Sequence, residues 1–416
     1  KIKVRLIGGK GKDLILDLTE NKTAGNVKVY DKKSSTKLPT EAQSFKPRLS
    51  NRKGVNDYNK YEFKYDVVMP LVYGEYNRDD GVFVGGGLMY TKHGWRKDPY
   101  ASRHMLLADV SVASGAFNFR YEGDFTHVIG QWNLALDADL KRPEVDNFFG
   151  LGNESKYDVS QGIDYYRMRF EDNTYKMGLY RQLGNRSEFH FGIQERGVEV
   201  EQDPERFIGS DDFEDFDPAG FFDDRRRYLG GFVSLELDSR DQKMFPTRGA
   251  HWYTEASSNA GLSSTASDYG HFQTDLALYY SFQYPAWVTL ASRTGYAHNF
   301  GNNSNDEFYN NNSLGGKENL RGYRKTRFYG RTTFYQNVDL RVKLFDFSSV
   351  LFPGKFGIHG FHDVGRVWAD QESSDKWHSA TGGGIWLAPL SKVALALSYA
   401  VSPEENLISF DFGFFF

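Results

Sequence analysis

Three stretches of this sequence place charged and turn-forming residues where chemistry could use them. Leu320-Arg321-Gly322-Tyr323-Arg324 sits inside the long polar segment 300–332. Asp238 to Gly249 reads DSRDQKMFPTRG; Pro246 and Gly249 supply turn chemistry, and Asp238 and Arg240 are spaced to pair across the turn. Gly360 to Trp368 reads GFHDVGRVW and falls on a predicted strand. The segment 211–224 carries Asp211, Asp212, Glu214, Asp215, Asp217, Asp223 and Asp224. Hard cations take carboxylate oxygens, but this spacing fits no EF-hand, and a solvated acidic loop is expected. His359 and His362 stand three apart on a strand, so they face opposite sides and do not share a metal. Gly8 to Leu16 fits one copy of the calcium-binding nonapeptide, whose oxygen shell needs stacked neighbouring repeats; a glycine turn between strands is expected instead. There is no GxSxG elbow, HExxH or P-loop. Zero Cys removes disulfides, thiolate metal sites and Cys nucleophiles. No catalytic residue, metal or cofactor is assigned, and the chain is not expected to be an enzyme by itself.

The elements that must position these residues are strands. Formal net charge is -4, which gives no case for nucleic acid as a partner. Aromatics make 16% of the chain although hydrophobic residues reach only 39%, and Gly numbers 42. That balance suits a transmembrane β-barrel, with a greasy outside, a polar lumen and aromatic girdles. No apolar run is long enough for a spanning helix. The chain has no initiator Met and no signal peptide, and Lys1-Ile2-Lys3-Val4 already reads as a strand, so we expect a mature or truncated piece. Period-two alternation repeats for most of the length. In 271–283, Phe272, Leu276, Leu278, Tyr280 and Phe282 alternate with Gln273, Asp275 and Ser281; in 333–345, Val338, Leu340, Val342 and Leu344 alternate with Asn337, Asp339, Arg341 and Lys343. The same alternation runs through 392–402 and 406–416.

The pattern predicts sixteen strands: 81–92, 103–113, 116–127, 130–140, 160–171, 173–183, 187–198, 226–238, 248–259, 269–283, 287–299, 333–345, 354–369, 377–389, 391–402 and 406–416. An even number suits a closed antiparallel barrel. With both ends in the periplasm, 199–225 and 300–332 are extracellular, while Tyr284-Pro285-Ala286 and Pro389-Leu390-Ser391 are periplasmic turns. The long segment 141–159 falls on the turn side and breaks this asymmetry. Residues 1–60 read as the tail of an upstream β-rich domain plus a linker, with strands near 2–7, 14–18 and 27–31. Residues 61–80, including Val67-Val68-Met69-Pro70-Leu71-Val72, read as a lead-in to a barrel over 81–416.

The turn motif, the Arg-Gly-Tyr loop, GFHDVGRVW and the last strand ending in Phe416 occur in order, and together they resemble the BamA/TamA superfamily of outer-membrane barrels, also called the bacterial surface antigen family. The likeness spans roughly 81–416. It implies a sixteen-stranded barrel in the bacterial outer membrane, surrounded by lipid and lipopolysaccharide, that inserts or translocates a protein. In that family the Arg-Gly-aromatic loop folds into the lumen and its Arg meets acidic residues on the wall. Carried over, Arg321 would meet Asp339 and Asp363, Gly322 would allow the tight tip, and Tyr323 would pack beside it. The strand alternation agrees, placing Asp339 and Asp363 on the lumenal face, and a guanidinium in a narrow lumen needs such partners. The resemblance also singles out the seam between first and last strands, where Gly85, Gly86, Gly87 and Gly413 weaken the pairing or make room for lumenal bulk.

A narrower likeness rests on Ile7 to Leu16, on NRDDG at Asn77 to Gly81 and on FFGLGNES at Phe148 to Ser155. These resemble Bacteroidetes-type barrels that carry a calcineurin-like metallophosphoesterase domain upstream. No metal-ligand motif of that enzyme family lies in this chain. Three functions follow: protein insertion or translocation, with the chain's own upstream domain as one client; a membrane anchor for an upstream metallophosphoesterase; and a passive porin. Classic assembly factors carry POTRA modules, and residues 1–80 show no amphipathic helix of the kind a POTRA module contains.

Overall fold

The computed structural model describes residues 4–8, 11–18, 27–39, 44–51, 56, 64–77, 81–210, 213, 222, 225–283, 285–301, 305–348, 353–370, 372–390, 394–412 and 416. The acidic run at 211–224 and Gly413 lie outside them. Two compact units emerge. One comprises 1–67 with 91–102. It holds a parallel sheet of Val4–Ile7, Val27–Tyr30 and Lys46–Pro47, and a parallel pair, Asp13–Leu14 with Thr36–Lys37. Its residues 91–102 are anchored by Trp95, edge-on to Tyr30 at 5.7 Å, and by Arg96, over the Tyr30 ring at 4.6 Å.

The second unit is one sixteen-stranded sheet. Its strands, in sequence and in space, are β1 Val67–Asn77, β2 Gly81–Gly94, β3 Lys97–Ser111, β4 Phe117–Ile129, β5 Trp132–Asn147, β6 Arg167–Leu183, β7 Ser187–Val200 and β8 Arg226–Asp238. They continue as β9 Gly249–Gly261, β10 Tyr269–Gln283, β11 Trp287–Phe300, β12 Thr332–Ser348, β13 Pro353–Trp368, β14 His378–Pro389, β15 Leu395–Val401 and β16 Asn406–Phe412. The ladders from β4 to β16 are antiparallel. The sheet's edges are β1 and β16, and among the described residues no ladder joins them.

Polarity is inverted relative to a soluble sheet. On β10, Leu276, Leu278, Tyr280 and Phe282 are exposed, Tyr280 by 66%, whereas Ala277, Tyr279 and Ser281 are buried. On β12, Leu340 and Leu344 are exposed while Asn337, Asp339 and Arg341 are buried. A continuous exposed apolar face over so many strands is a surface for hydrocarbon rather than water. The strands reach 11 to 17 residues in most cases, enough to cross a bilayer at a tilt.

Two predicted elements are corrected. The stretch read as a lead-in is β1, the sheet's first strand. Its Pro70 broke the sequence pattern, but proline, lacking an N–H, is tolerated on an edge strand, and β1 is an edge. The predicted strands 160–171 and 173–183 are one strand, β6, which runs straight through Asp172-Asn173 with Asp172 paired to Val198. One strand gained and one merged keep the number at sixteen but shift the parity of everything before β6. The long segment after β5 therefore moves to the long-loop end, and the anomaly at 141–159 disappears. Gly85, Gly86 and Gly87 consequently lie on β2, not on the edge strand. A Cβ on Gly87 would stand 1.9 Å from the Leu106 carbonyl oxygen, so this glycine serves close approach of β2 and β3.

At the long-loop end the segments after β5, β7 and β11 share an aromatic core. Phe148 packs on Phe308 at 4.3 Å, on Phe213 at 5.1 Å and on Tyr329 at 5.7 Å between ring centroids. Glu307 is fully buried beneath it, accepting from Ser267 N at 2.8 Å and Tyr228 Oη at 3.1 Å, with Arg226 at 3.9 Å. Burial pushes its carboxyl above the ordinary glutamate range. A carboxyl raised in the packed loops binds its proton there more readily than when exposed to water. Its contribution to the packing of these loops is therefore full below the ordinary glutamate range and falls as pH rises through the raised value. Hydrogen exchange at Phe308 and Tyr309, corrected for intrinsic rates, should show protection decreasing from acid to neutral pH, and Glu307→Gln should flatten that dependence.

Candidate functional site

The segment between β11 and β12 turns back along the sheet's inner face. A short hairpin, Asn312–Leu314 with Phe328–Gly330, forms its stem, and Gly315 to Arg327 its tip. Three glycines at the tip have positive φ, among them Gly322 at 92°. A Cβ there would stand 2.8 Å from the Ala380 Cβ, so both backbone angle and space ask for glycine. Asn319 holds the tip's shape by accepting from Gly315 N at 2.8 Å and donating to the Ser313 carbonyl at 2.9 Å. Leu314, Leu320, Tyr323 and Phe328 bury themselves against Val367 and Ala380 of the wall. Tyr323 is 5.7 Å from the His378 ring, its hydroxyl pushed up to about 12 by burial.

On the wall, period-two alternation points Asn337, Asp339 and Arg341 of β12 and His359, Phe361 and Asp363 of β13 inward. The ladder sets Asp339 opposite Phe361 and Asn337 opposite Asp363, so the two aspartates are diagonal neighbours. Arg321 reaches both. Its Nε and Nη2 donate to Asp363 at 2.8 and 2.6 Å, Nη2 also donates to Asp339 at 2.7 Å, and its backbone N donates to Asp363 at 3.1 Å. The guanidinium stacks 3.7 Å above the Phe361 ring. Arg321 is 7% exposed, Asp339 1% and Asp363 0%. Arg341 donates to the other Asp339 oxygen at 3.2 Å. Two guanidinium groups and two carboxylates thus balance in a buried site, the condition under which buried ions are tolerated.

Beyond the tip, Lys325 donates to Glu144 of β5 at 3.0 Å, Arg324 to Glu405 at 2.8 Å, and Arg327 to Glu404 at 2.8 Å. Phe148 to Ser155 is drawn into the same network. Both amide groups of Asn153 engage Val367 of β13, at 2.6 and 3.0 Å, and Glu372 accepts from Asn153 N at 2.8 Å. Sequence reading missed Phe361, Glu372, Glu404 and Glu405 as partners, since only the fold brings them to the loop.

The remaining predicted residues lie elsewhere. At the tight-turn end Arg240 forks onto Asp238 with two contacts of 3.0 Å, and buried Pro246 follows Phe245, which reaches Trp386 of β14 at 5.0 Å. Gly249, at φ 106°, begins β9, where a Cβ would meet the Ser239 carbonyl oxygen. Phe416 is not on the last strand, which ends at Phe412. It sits on the inner face against Ala277, Tyr279 and Ala291, where Arg341 donates to its carbonyl at 3.0 Å. His359 points inward to Ser398 and His362 outward to Thr381. A cavity of 540 Å³ lies between the loop tip and the two sheet edges, lined by Tyr73 of β1, Leu407, Ser409 and Asp411 of β16, and Arg321 to Thr326.

The sequence matches the Omp85 superfamily domain over residues 108–416. The chain belongs to the Omp85 superfamily. No curated protein sequence matches it. Among solved structures it is similar to BamA from Haemophilus ducreyi lacking POTRA domains 1–3, with 14% identity, a TM-score of 0.58, and coverage of 84% of this chain and 70% of that one. It is also similar to CdiB from Acinetobacter baumannii (11% identity, TM-score 0.51, 82% and 59% covered) and CdiB from Escherichia coli (13%, 0.53, 82% and 61%). It spans about three fifths of the CdiB chains. At such identities the likeness is one of fold. Omp85 proteins reside in the bacterial outer membrane, and this is an outer-membrane barrel protein. The barrels of the superfamily are transporters or assembly factors rather than enzymes.

Removing Arg321 leaves two aspartates buried beside Arg341 alone. Arg321→Ala should cost the loop's docking about 3–5 kcal/mol, the usual penalty for breaking a buried ion pair. Limited proteolysis within 301–331 should rise accordingly. Arg321→Lys should recover only part of the loss, because an ammonium cannot fork onto both carboxylates.

Proposed function

We propose that this barrel inserts or translocates a protein at the outer membrane, with the Arg321-Gly322-Tyr323 loop locked in its lumen. The carrying observation is the fourfold engagement of Arg321 by Asp339 and Asp363. A passive porin gains nothing from a loop fastened across its channel by buried charge. A barrel that passes a client only in a particular state does gain from such a loop, which keeps the pore sealed between events. The cavity bounded by the loop tip and both sheet edges supports the same reading, since it sets a space lined by polar and apolar side chains behind the edges. No nucleotide motif is present, so client folding is the energy source this reading requires. The client includes, as one candidate, the protein's own upstream domain.

A second reading, the anchoring of an upstream metallophosphoesterase, draws support from the separate N-terminal unit. Its strands pair in parallel, as pieces of a larger β-rich domain would. A calcineurin-like metal motif encoded upstream would favour the anchor, and POTRA modules there would favour assembly.

Planar-bilayer recording tests the lock. The wild-type protein should give low or flickering conductance, and Arg321→Ala large and sustained conductance. Steady high conductance that the substitution leaves unchanged would mean an open pore, and would remove this function for Arg321, Asp339 and Asp363.

A further inference from the structure

Among the described residues the last hairpin has the shortest strands of the sheet. β15 and β16 span 7 residues each, against 17 in β6 and β12. Among the described residues β16 pairs only with β15, through seven residue pairs from Leu395–Phe412 to Val401–Asn406. Its tip is a tight turn in which Ser402 N donates to the Glu405 carbonyl at 3.1 Å. That turn presents Glu404 and Glu405 side by side.

Both carboxylates are engaged by the loop between β11 and β12, and Glu405 also accepts from Tyr157 Oη at 2.8 Å. Arg324 forks onto Glu405 at 2.8 and 3.2 Å, and Arg327 forks onto Glu404 at 2.8 and 2.9 Å. Such bidentate, charge-assisted pairs fix orientation as well as distance. Arg327 is fastened from the far side too. It is 1% exposed, packs against the Phe149 and Phe328 rings at 4.8 and 4.4 Å, and donates to the Ser155 hydroxyl at 2.8 Å and carbonyl at 2.7 Å. The segment Phe148–Ser155, singled out in the sequence without a role, is therefore the support behind Arg327. The pairs to the hairpin differ in kind from those support contacts. Glu404 keeps 24% side-chain exposure against 2% for Arg327, while Glu405 and Arg324 are equally enclosed at 14% and 12%.

We propose that Arg324 and Arg327 are positioning residues that latch the tip of the last hairpin, so that β16 can shift as an edge strand only when the pairs to Glu405 and Glu404, together with the Tyr157 bond to Glu405, open. The latch rests on the insertion reading, because only a barrel whose edge must be released needs a releasable tie on that hairpin. The supported side, Arg327 with Phe149 and Ser155, stays fixed, while the hairpin carboxylates let go.

The sequence has no Cys, so a single introduced thiol reports without background. Ser409→Cys places one on the inner face of β16, and Ser234→Cys places a control on β8. The full chain in liposomes is labelled with a membrane-impermeant maleimide. Glu404→Gln with Glu405→Gln should speed labelling at position 409 by roughly tenfold, the factor expected for lost charge-assisted pairs, and leave position 234 unchanged. Arg324→Glu should likewise speed labelling at 409, and adding Glu405→Arg should bring it back towards the wild-type rate. An unchanged rate at 409, equal acceleration at 234, or a charge swap that stays as fast as Arg324→Glu would overturn the latch. Failure of the latch leaves the Arg321 conductance result standing. Latch-dependent labelling in a protein that conducts steadily without the Arg321 substitution would overturn the insertion reading alone.

Discussion

A guanidinium taken out of water must be met by carboxylates in fixed geometry, and this constraint organises the inner face of the sheet. Arg321 satisfies it with a fork onto Asp363 and a further donor to Asp339. Neither aspartate could be buried alone. Each sits on a separate strand, so the β12–β13 register has to be right before the loop can dock. The loop in turn needs glycine at Gly322 and the Asn319 clasp to present Arg321 at the wall. The docked loop then places Arg324, Lys325 and Arg327 against three further parts of the barrel. These ion pairs together hold Gly315 to Arg327 against the sheet's inner face.

The same sheet could stand in water only if its faces were exchanged. Alternation made this legible from sequence, because Leu276, Leu278, Tyr280 and Phe282 share one parity and Asp275, Ala277 and Tyr279 the other. Alternation gives faces but not direction. What assigned the greasy face to the outside was the absence of any helical pattern to cover it. Asp339 and Asp363 were readable as inward-facing on the same grounds, and the motif resemblance paired them with Arg321.

Where reading fell short, the reasons are local. Pro70 disguised β1, because a proline weighs against a strand unless the strand is known to be an edge, which is a fact of topology. Asp172-Asn173 disguised the continuity of β6, because two polar residues in succession look like a turn when in fact Asp172 faces inward and pairs with Arg196 at 2.7 Å. These errors offset in number and so left the strand total right while inverting the ends of the early loops. The misplaced segment 141–159 was the visible sign of that inversion. Glu404, Glu405 and Glu372 gave no signal at all, since each becomes a partner only through loops far apart in the chain.

The inner network also bears on how independently its parts can move. Asp339 is shared, one oxygen taken by Arg321 and the other by Arg341, and Arg341 also holds the carbonyl of Phe416. Release of the loop would leave Asp339 with one partner and strengthen its claim on Arg341, at the expense of the Phe416 contact. The two Arg–Glu pairs at the hairpin tip meet the same loop from the other side. Glu404 and Glu405, before β16, are tied to the loop, and Phe416 is tied to Arg341 of β12. Charges shared in this way in a low-dielectric site do not relax one at a time, because each vacated position leaves an unmatched ion. Docking of the loop and seating of the last hairpin therefore meet in one network, in which Arg321 shares Asp339 with Arg341 and Arg341 holds Phe416.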